Sequence, residues 1–431
     1  MFEFTAQKLV YGGDALGYHQ GRTVLVPRAL PGERVAAEEV RTAKGVVHAR
    51  PLRVLVASPD RVDPPCPYFG RCGGCQYQHL GADLQTAYKR DILRETLRPL
   101  GRITWDRDIP LHAASSWQYR NQAELKVGRL GDGKVALGFF AAESHHLIPI
   151  DACLILSPRL DAILGELRRA DWLSDLGGWS EIELAADDRD EEVRMALRAH
   201  RDPAGRPATQ DGEQVAVKCL ALPGVVSVAV ERGRELRVFG KPSISYAAGD
   251  FVYQVSPGSF FQASRFLLAE LAAAVTSEGS QSGAPPGGAL ALDLYAGVGL
   301  FTLPLARRFD RVIGVEANAR SAADLAANAA AHRLSNIRAV PESAFDFLRR
   351  FAQTEPDLVV LDPPRAGVGF PSLKLLAGLA PKGIHYVSCH PPTLARDLAF
   401  LIERGYQLDS VELFDFFPHT FHIESVTRLS R

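Results

Sequence analysis

A cysteine just ahead of a helix at the end of a buried strand is a candidate nucleophile, and Tyr386-Val387-Ser388-Cys389-His390-Pro391-Pro392 has that form. GIHYVS reads as the strand and TLARDLAFLIERG as the helix, with prolines tolerated in its first turn. A free thiol, with a pKa of about 8.5, is only a few per cent thiolate at neutral pH. A helix N-terminus is expected to lower that pKa and activate Cys389. Cys219, in QVAVKCLALPG, has no such setting and is expected to be an inert core residue. A base could come from Phe416-Phe417-Pro418-His419-Thr420-Phe421-His422-Ile423-Glu424, where proline and aromatics make a partly apolar pocket that raises a carboxylate pKa. Glu424, His419 and His422 all qualify. The two histidines lack a third ligand nearby, so a metal site is not expected there.

A second constellation suits a nucleoside ligand. Asp293-Leu294-Tyr295-Ala296-Gly297-Val298-Gly299 ends an apolar strand, and its two glycines allow a tight turn with close backbone approach. Glu316 lies twenty-three residues after Asp293 at the end of the next strand, where a carboxylate can bind ribose hydroxyls. A dehydrogenase would need a third glycine at position 302, which is Thr302. The strand-end acids with a two-glycine turn look instead like the S-adenosylmethionine site of Rossmann-like methyltransferases. Leu361-Asp362-Pro363-Pro364-Arg365 ends a further strand and places Asp362 at the same sheet edge. Similar Asp-Pro-Pro sequences occur in methyltransferases that act on a flipped base.

A third group is built from thiols. Cys66, Cys72 and Cys75 are closely spaced, with Gly73 and Gly74 allowing the chain to fold back, and Cys153 is the best remaining fourth ligand. Four thiolates suit zinc or an iron–sulfur cluster. Zinc ribbons usually bring two Cys-x-x-Cys knuckles and this chain has one, which puts iron–sulfur slightly ahead.

These residues need several units to hold them. The 431 residues, 46% hydrophobic and 23% charged with net charge −1, exclude a disordered chain and suggest two to four domains. No apolar run reaches membrane-spanning length, the N-terminus lacks export features, and six cysteines make no disulfide scaffold, so a reducing cytoplasm is expected. Residues 1–57 read as short strands of a small barrel, with eight Lys and Arg against five Asp and Glu, a balance consistent with phosphate contacts. Residues 58–250 hold the cysteines, then a helix over about 81–98 on which Leu84, Tyr88, Ile92 and Leu97 recur and Lys89 falls on another face. An antiparallel mixed domain follows, with the acidic run DDRDEE as a solvated loop. From 251 to 431 a helical run, SFFQASRFLLAELAAAV, and a polar loop, SEGSQSGAPPGG, precede alternating strands and helices, the grammar of a parallel sheet covered on both faces.

Taken together, CPYFGRCGGCQYQH, SPGSFFQ, DLYAGVG, LDPPRAG, YVSCHP and FPHTFHIES resemble the uracil-5 RNA methyltransferase family, in its branch with an N-terminal TRAM domain and an iron–sulfur cluster. The resemblance implies an α/β, Rossmann-like class I methyltransferase domain, an OB-like TRAM barrel and a central iron–sulfur α+β domain. It implies that Cys66, Cys72, Cys75 and Cys153 bind a 4Fe–4S cluster. It makes Gln262, Tyr295, Glu316 and Asp362 contacts to S-adenosylmethionine, with Ser343 as a further addition. Cys389 becomes the nucleophile that adds to carbon 6 of uracil, and Glu424 the base that removes the carbon-5 proton. His390 departs from the Asn or Asp usual after the nucleophile. The expected partner is RNA flipped into the pocket, 23S rRNA ahead of tRNA, handled by a cytoplasmic monomer. A catalytically silent RNA-binding iron–sulfur protein, or an enzyme methylating a nitrogen or small molecule, are the rival classes. The first has no use for both Cys389 and Glu424.

Overall fold

The computed structural model describes residues 1–199, 211–233, 235–277, 287–351 and 355–431. Strands β1 (Phe2–Thr5), β2 (Lys8–Leu9), β3 (Asp14–His19), β4 (Arg22–Pro27), β5 (Arg34–Ala43) and β6 (Val46–Val56) form one sheet in the order β1-β5-β6-β4-β3-β2. Alternation buries Val24 and Val26 of β4, and bulges along β5–β6 bend the sheet. It curls into a barrel-like form in which β1 crosses β3 at Gly17, where a Cβ would stand 2.3 Å from the Thr5 carbonyl oxygen. The barrel is pinned to the next segment by Glu33, fully buried, which accepts from Arg61 Nε at 2.5 Å and Nη2 at 2.7 Å and from the Leu30 and Ser58 amides.

Helix α1 (Ala82–Gly101) covers the predicted segment and buries Ile92 and Leu97 as expected, with Tyr88 packed on the core, but its buried face is wider than predicted. Gln85, Lys89, Ile92, Leu93 and Leu97 are buried, while Leu84 is exposed. Lys89, expected to point outward, is inside because Asp415 and the Phe417 carbonyl oxygen receive its ammonium at 2.7 and 2.8 Å. The short strand β7 (Leu111–His112) follows.

The central sheet contains β8 (Gln122–Arg129), β9 (Val135–Phe140), β10 (Leu147–Pro149), β11 (Trp179–Ala186), β12 (Val193–Ala199), β13 (Val225–Arg232) and β14 (Glu235–Gly240), in the order β10-β9-β8-β11-β12-β13-β14. It is antiparallel except for the β12–β13 pair, and helices α2 (Pro158–Arg169) and α3 (Gly212–Leu220) pack on it. Cys219 is buried there as expected. The acidic run is more than a solvated loop. Asp187 is buried and accepts from the Glu191 and Glu192 amides, Asp190 from that of Arg159 and Asp188 from that of Ala247.

The hairpin of β15 (Ile244–Ala248) and β16 (Phe251–Val255) spans residues 250 and 251, and Ile244 and Val255 share one apolar cluster with Ala291 and Val360. The helix predicted from about residue 259 begins only at Leu268, as α4 (Leu268–Thr276). The preceding stretch is a loop because Leu267 adopts φ 66° and Arg194 holds the Ser256 and Ser259 carbonyl oxygens. Most of the predicted polar loop, 278–286, lies outside the described residues.

Then come β17 (Gly288–Leu294), α5 (Thr302–Leu305), β18 (Phe309–Val315), α6 (Ala319–Ala331), β19 (Ile337–Val340), α7 (Ala344–Arg350), β20 (Leu358–Leu361), α8 (Phe370–Leu379), β21 (Gly383–Ser388), α9 (Pro391–Ile402), β22 (Gln407–Phe414) and β23 (Glu424–Ser430). The sheet order is β19-β18-β17-β20-β21-β23-β22-β7, parallel from β19 to β21, with β23 antiparallel to β21 and β22. β7 supplies the eighth strand, parallel to β22. α1 packs on α9 so closely that a Cβ at Gly101 would stand 3.0 Å from the Ala395 carbonyl oxygen. One apolar cluster runs from Phe4, Leu9 and Val26 of the barrel through Tyr77 and Leu93 to Leu292 and Leu394. Among the described residues, no helix is long and apolar enough to cross a membrane.

Candidate active site

The parallel strands deliver their carboxyl ends to one edge. After β17 the chain turns through Tyr295 at φ 68°, Gly297 at φ 54° and Gly299 at φ 102°. Glu316, just past β18, binds that turn by accepting from the Gly297 amide at 2.9 Å and the Asn318 amide at 2.7 Å. Asp293 is buried, accepts from the Thr302 hydroxyl and keeps its Oδ1 without a partner; burial pushes its carboxyl up to about 7. Asp362 follows β20, where burial and the Glu316 charge raise its pKa, and Gln262 Nε2 donates to it at 3.5 Å. Tyr295 donates its hydroxyl to the Val368 carbonyl oxygen at 3.5 Å. Gln262, Asp362, Glu316 and the Tyr295 turn thus meet at one edge. An under-neutralised set of carboxylates beside a glycine turn fits a nucleoside that carries a positive centre. Ser343 stands at the N-cap of α7, where its hydroxyl accepts from the Asp346 amide at 3.0 Å.

Strand register brings the second pair together. Ser388 of β21 lies opposite Ser425 of the antiparallel β23, so the next residue along one strand, Cys389, comes alongside the preceding residue of the other, Glu424. Cys389 is half-buried and Glu424 buried. Burial, then the charges of Glu424 and Asp362, push the Cys389 thiol up to about 12, with Arg365 opposing. The expected activation by the helix N-terminus is therefore outweighed. His390 occupies the N-cap of α9 and its ring nitrogen already accepts from the Thr393 amide, while burial and the charges of Glu424 and Asp362 oppose a thiolate. Burial likewise raises Glu424 well above the ordinary carboxylate range, with Asp362 adding and Arg365 opposing.

The histidines have other partners. His419 stacks on Trp117 at 3.9 Å, lies 3.1 Å from Gln85 Nε2 and is held down to about 4 by burial. His422 faces Arg365 at 3.3 Å and is held at about 3 by burial and that cation. Arg365 was passed over in the sequence because nothing in LDPPRAG distinguishes a working arginine from a solvated one. Its signal is spatial: its charge reaches Cys389 and Glu424 at once.

Cys66, Cys72, Cys75 and Cys153 are free thiols that line one cavity of about 770 Å³, with Arg120, Phe260 and Arg365 on its other walls. The Gly74 amide donates to Cys72 Sγ at 3.4 Å. Among the described residues, no group of three or more His, Cys, Asp or Glu side chains is arranged to hold a metal ion, so the 4Fe–4S cluster is not shown by the geometry.

Residues 241–431 match the family model described as tRNA (Uracil-5-)-methyltransferase. The chain is 34% identical to the 23S rRNA (uracil(1939)-C(5))-methyltransferase RlmD of Alkalilimnicola ehrlichii, over 100% of this chain and 96% of the relative. It is 32% identical to an uncharacterised RNA methyltransferase of Halalkalibacterium halodurans, over 99% and 96% respectively. Among solved structures, the Pyrococcus abyssi tRNA (uracil-54, C5)-methyltransferase in complex with S-adenosyl-L-homocysteine superposes with a TM-score of 0.72 and 25% identity, covering 99% of this chain and 100% of that one. With likeness running the full length and the acid-lined edge suited to the sulfonium donor, the chain belongs to the uracil-5 RNA methyltransferases and is an S-adenosylmethionine-dependent enzyme of that family.

Proposed function

We propose that the enzyme methylates carbon 5 of a specific uridine in ribosomal RNA, 23S rRNA, through a covalent adduct between Cys389 and carbon 6 of the base. The observation that carries this reading is the β21–β23 register, which sets a thiol beside a buried carboxylate at the cofactor edge. Carbon 5 of uracil is too weak a nucleophile by itself. The Cys389 thiolate adds to carbon 6, and the electron pair of the carbon 5–carbon 6 double bond moves toward the carbon-4 oxygen as an enolate. Bound S-adenosylmethionine supplies an electrophilic methyl group, to which carbon 5 bonds as the methyl–sulfur bond breaks. Glu424 then takes the carbon-5 proton, the double bond re-forms and the carbon 6–sulfur bond breaks. Burial suits Glu424 to this proton transfer, whereas His419 and His422 are weak bases already tied to neighbours. Gln262, Tyr295, Glu316 and Asp362 are the proposed cofactor contacts.

Ribosomal RNA is favoured by whole-length likeness to the relative named for 23S rRNA, and tRNA by the solved neighbour named for uracil-54. The basic residues of 1–57 are proposed to grip RNA phosphates. The test offers 5-fluorouridine-substituted 23S rRNA fragments and tRNA to the enzyme with S-adenosylmethionine. A denaturing gel should show a slow protein–RNA band with an rRNA fragment. A band with tRNA alone would move the substrate to tRNA, and methyl transfer without any band would overturn the adduct.

The four cavity cysteines are proposed to hold a 4Fe–4S cluster; they are free, share one cavity and lie away from the Cys389–Glu424 pair in the chain. Its contribution there would be structural, tying residues 66–75 to residue 153. Anaerobically purified protein should show broad iron–sulfur absorbance that Cys72→Ser weakens; stoichiometric zinc without iron or sulfide would overturn this.

A further inference from the structure

The charge balance of residues 1–57 suits phosphate contacts, but one turn of the barrel reaches the segments that carry Cys389 and Glu424. Between β2 and β3 the Gly13 amide donates to the Val10 carbonyl oxygen and the Val10 amide to that of Asp14, closing a tight turn. Its base is seated against the catalytic loop: a Cβ at Gly13 would stand 3.2 Å from Gln76 and 3.5 Å from Phe421. Gln76 in turn receives the Phe421 amide at 3.4 Å, and the Gln76 and Tyr77 amides both donate to the His419 carbonyl oxygen, so the seat is fixed from two sides.

At the tip of this turn stands Tyr11. Its hydroxyl donates to the carbonyl oxygen of Cys389 at 3.4 Å. Its ring meets His390 edge-on at 5.1 Å and Phe421 edge-on at 5.5 Å, bridging the segment that carries Cys389 and the segment that leads to Glu424. The His390 ring is held from its other side by Thr393. The whole arrangement braces the backbone of the nucleophile from outside the methyltransferase domain.

We infer that Tyr11 is a positioning residue for Cys389: the barrel's β2–β3 turn fixes the backbone from which the thiol is aimed at carbon 6. This rests on the reading of Cys389 as nucleophile. Burial raises the Tyr11 hydroxyl to about 12, so it remains a donor throughout the working pH range. Misplacing a reacting group by about 1 Å can cost on the order of 100-fold in rate, whereas one long neutral hydrogen bond is worth about 1 kcal/mol or less. The ring contacts should therefore matter more than the hydroxyl.

The test uses the full-length enzyme and follows, at saturating RNA, the single-turnover rate of methyl transfer and the rate of covalent trapping by RNA containing 5-fluorouridine. Tyr11→Ala should slow both by roughly 30- to 100-fold, with dissociation constants for RNA and S-adenosylmethionine changed by less than about threefold. Tyr11→Phe, which keeps both ring contacts, should restore the rates to within about fivefold of wild type. If Tyr11→Ala does not fold, Tyr11→Leu, which keeps bulk but no ring edge, is read in its place. A defect confined to RNA affinity, with full rates at saturation, would make Tyr11 a gripping residue and overturn the proposal. So would an undiminished trapping rate in Tyr11→Ala. Absence of any adduct with the wild-type enzyme would overturn the Cys389 reading itself, a result separable from failure of Tyr11 alone.

Discussion

Glu424→Gln should leave enzyme covalently joined to methylated RNA, whereas Cys389→Ala should form no adduct and transfer no methyl group. Removing the base is expected to slow product release by about 10²- to 10⁴-fold, the usual share of a positioned acid–base group. Removing the nucleophile should take turnover below detection. The two variants also differ in pH dependence. In the wild type the thiol is pushed up to about 12, so below that value its thiolate fraction, and with it the trapping rate, should climb about tenfold per pH unit. Where Glu424 is ionised, toward the alkaline end of the series, its charge opposes the thiolate, so Glu424→Gln should form the adduct faster than wild type there. Denaturing gels with RNA and S-adenosylmethionine, run across a pH series, give both results. Rapid turnover by Glu424→Gln, with stalling only on replacing His419 or His422, would move the base to a histidine.

Asp415→Ala should be among the most destabilising single changes in the molecule. It strands the ammonium of Lys89, which has no solvent access and whose remaining partner is the Phe417 carbonyl oxygen. Breaking a buried pair by removing one member typically costs about 3–5 kcal/mol. Replacing both, as Lys89→Met with Asp415→Leu, should recover much of that loss, because no unpaired charge then remains inside. Urea unfolding of the three proteins checks the order. Equal midpoints for wild type and Asp415→Ala would show that the pair contributes nothing. Hydrogen exchange over 415–424 should quicken in Asp415→Ala, since that loop is held to α1 by Lys89 and by Gln85, which receives the His419 amide at 2.7 Å.

The strand-end motifs could be found without a structure because each sits at an apolar run's end: DLYAGVG after β17, LDPPRAG after β20 and YVSCHP after β21. In a parallel sheet such ends share an edge, so local pattern becomes spatial proximity. What escaped detection depended on partners far along the chain. Lys89 was placed on an outer face because a lysine is almost never buried unless paired, and its partner lies 326 residues away. The Cys389 pKa was given the wrong direction because the helix terminus is adjacent in sequence, whereas Glu424 and Asp362 reach the thiol only through the sheet. The start of α4 was set too early because SFFQASRF has acceptable helical composition, and Arg194 holds that segment in another conformation from a different sheet. Tyr11 carried no motif at all; only the docking of the barrel shows its use.

The eighth strand of the catalytic sheet bears on how the protein comes into being. β7 pairs with β22 across some 300 residues, Leu111 with Leu413 and His112 with Phe414, and β23 enters between β21 and β22. The barrel holds apolar residues in a cluster whose other members, such as Leu394 and Leu398, lie more than 300 residues further along the chain. Such distant pairings are reached late, after a long loop has been closed, and slow the search for the native state. The apolar surface by which the barrel joins that cluster has its partners only once the later strands and helices are in place. For the same reason the units are poor candidates for separate expression: cutting between barrel and sheet divides a core instead of a linker.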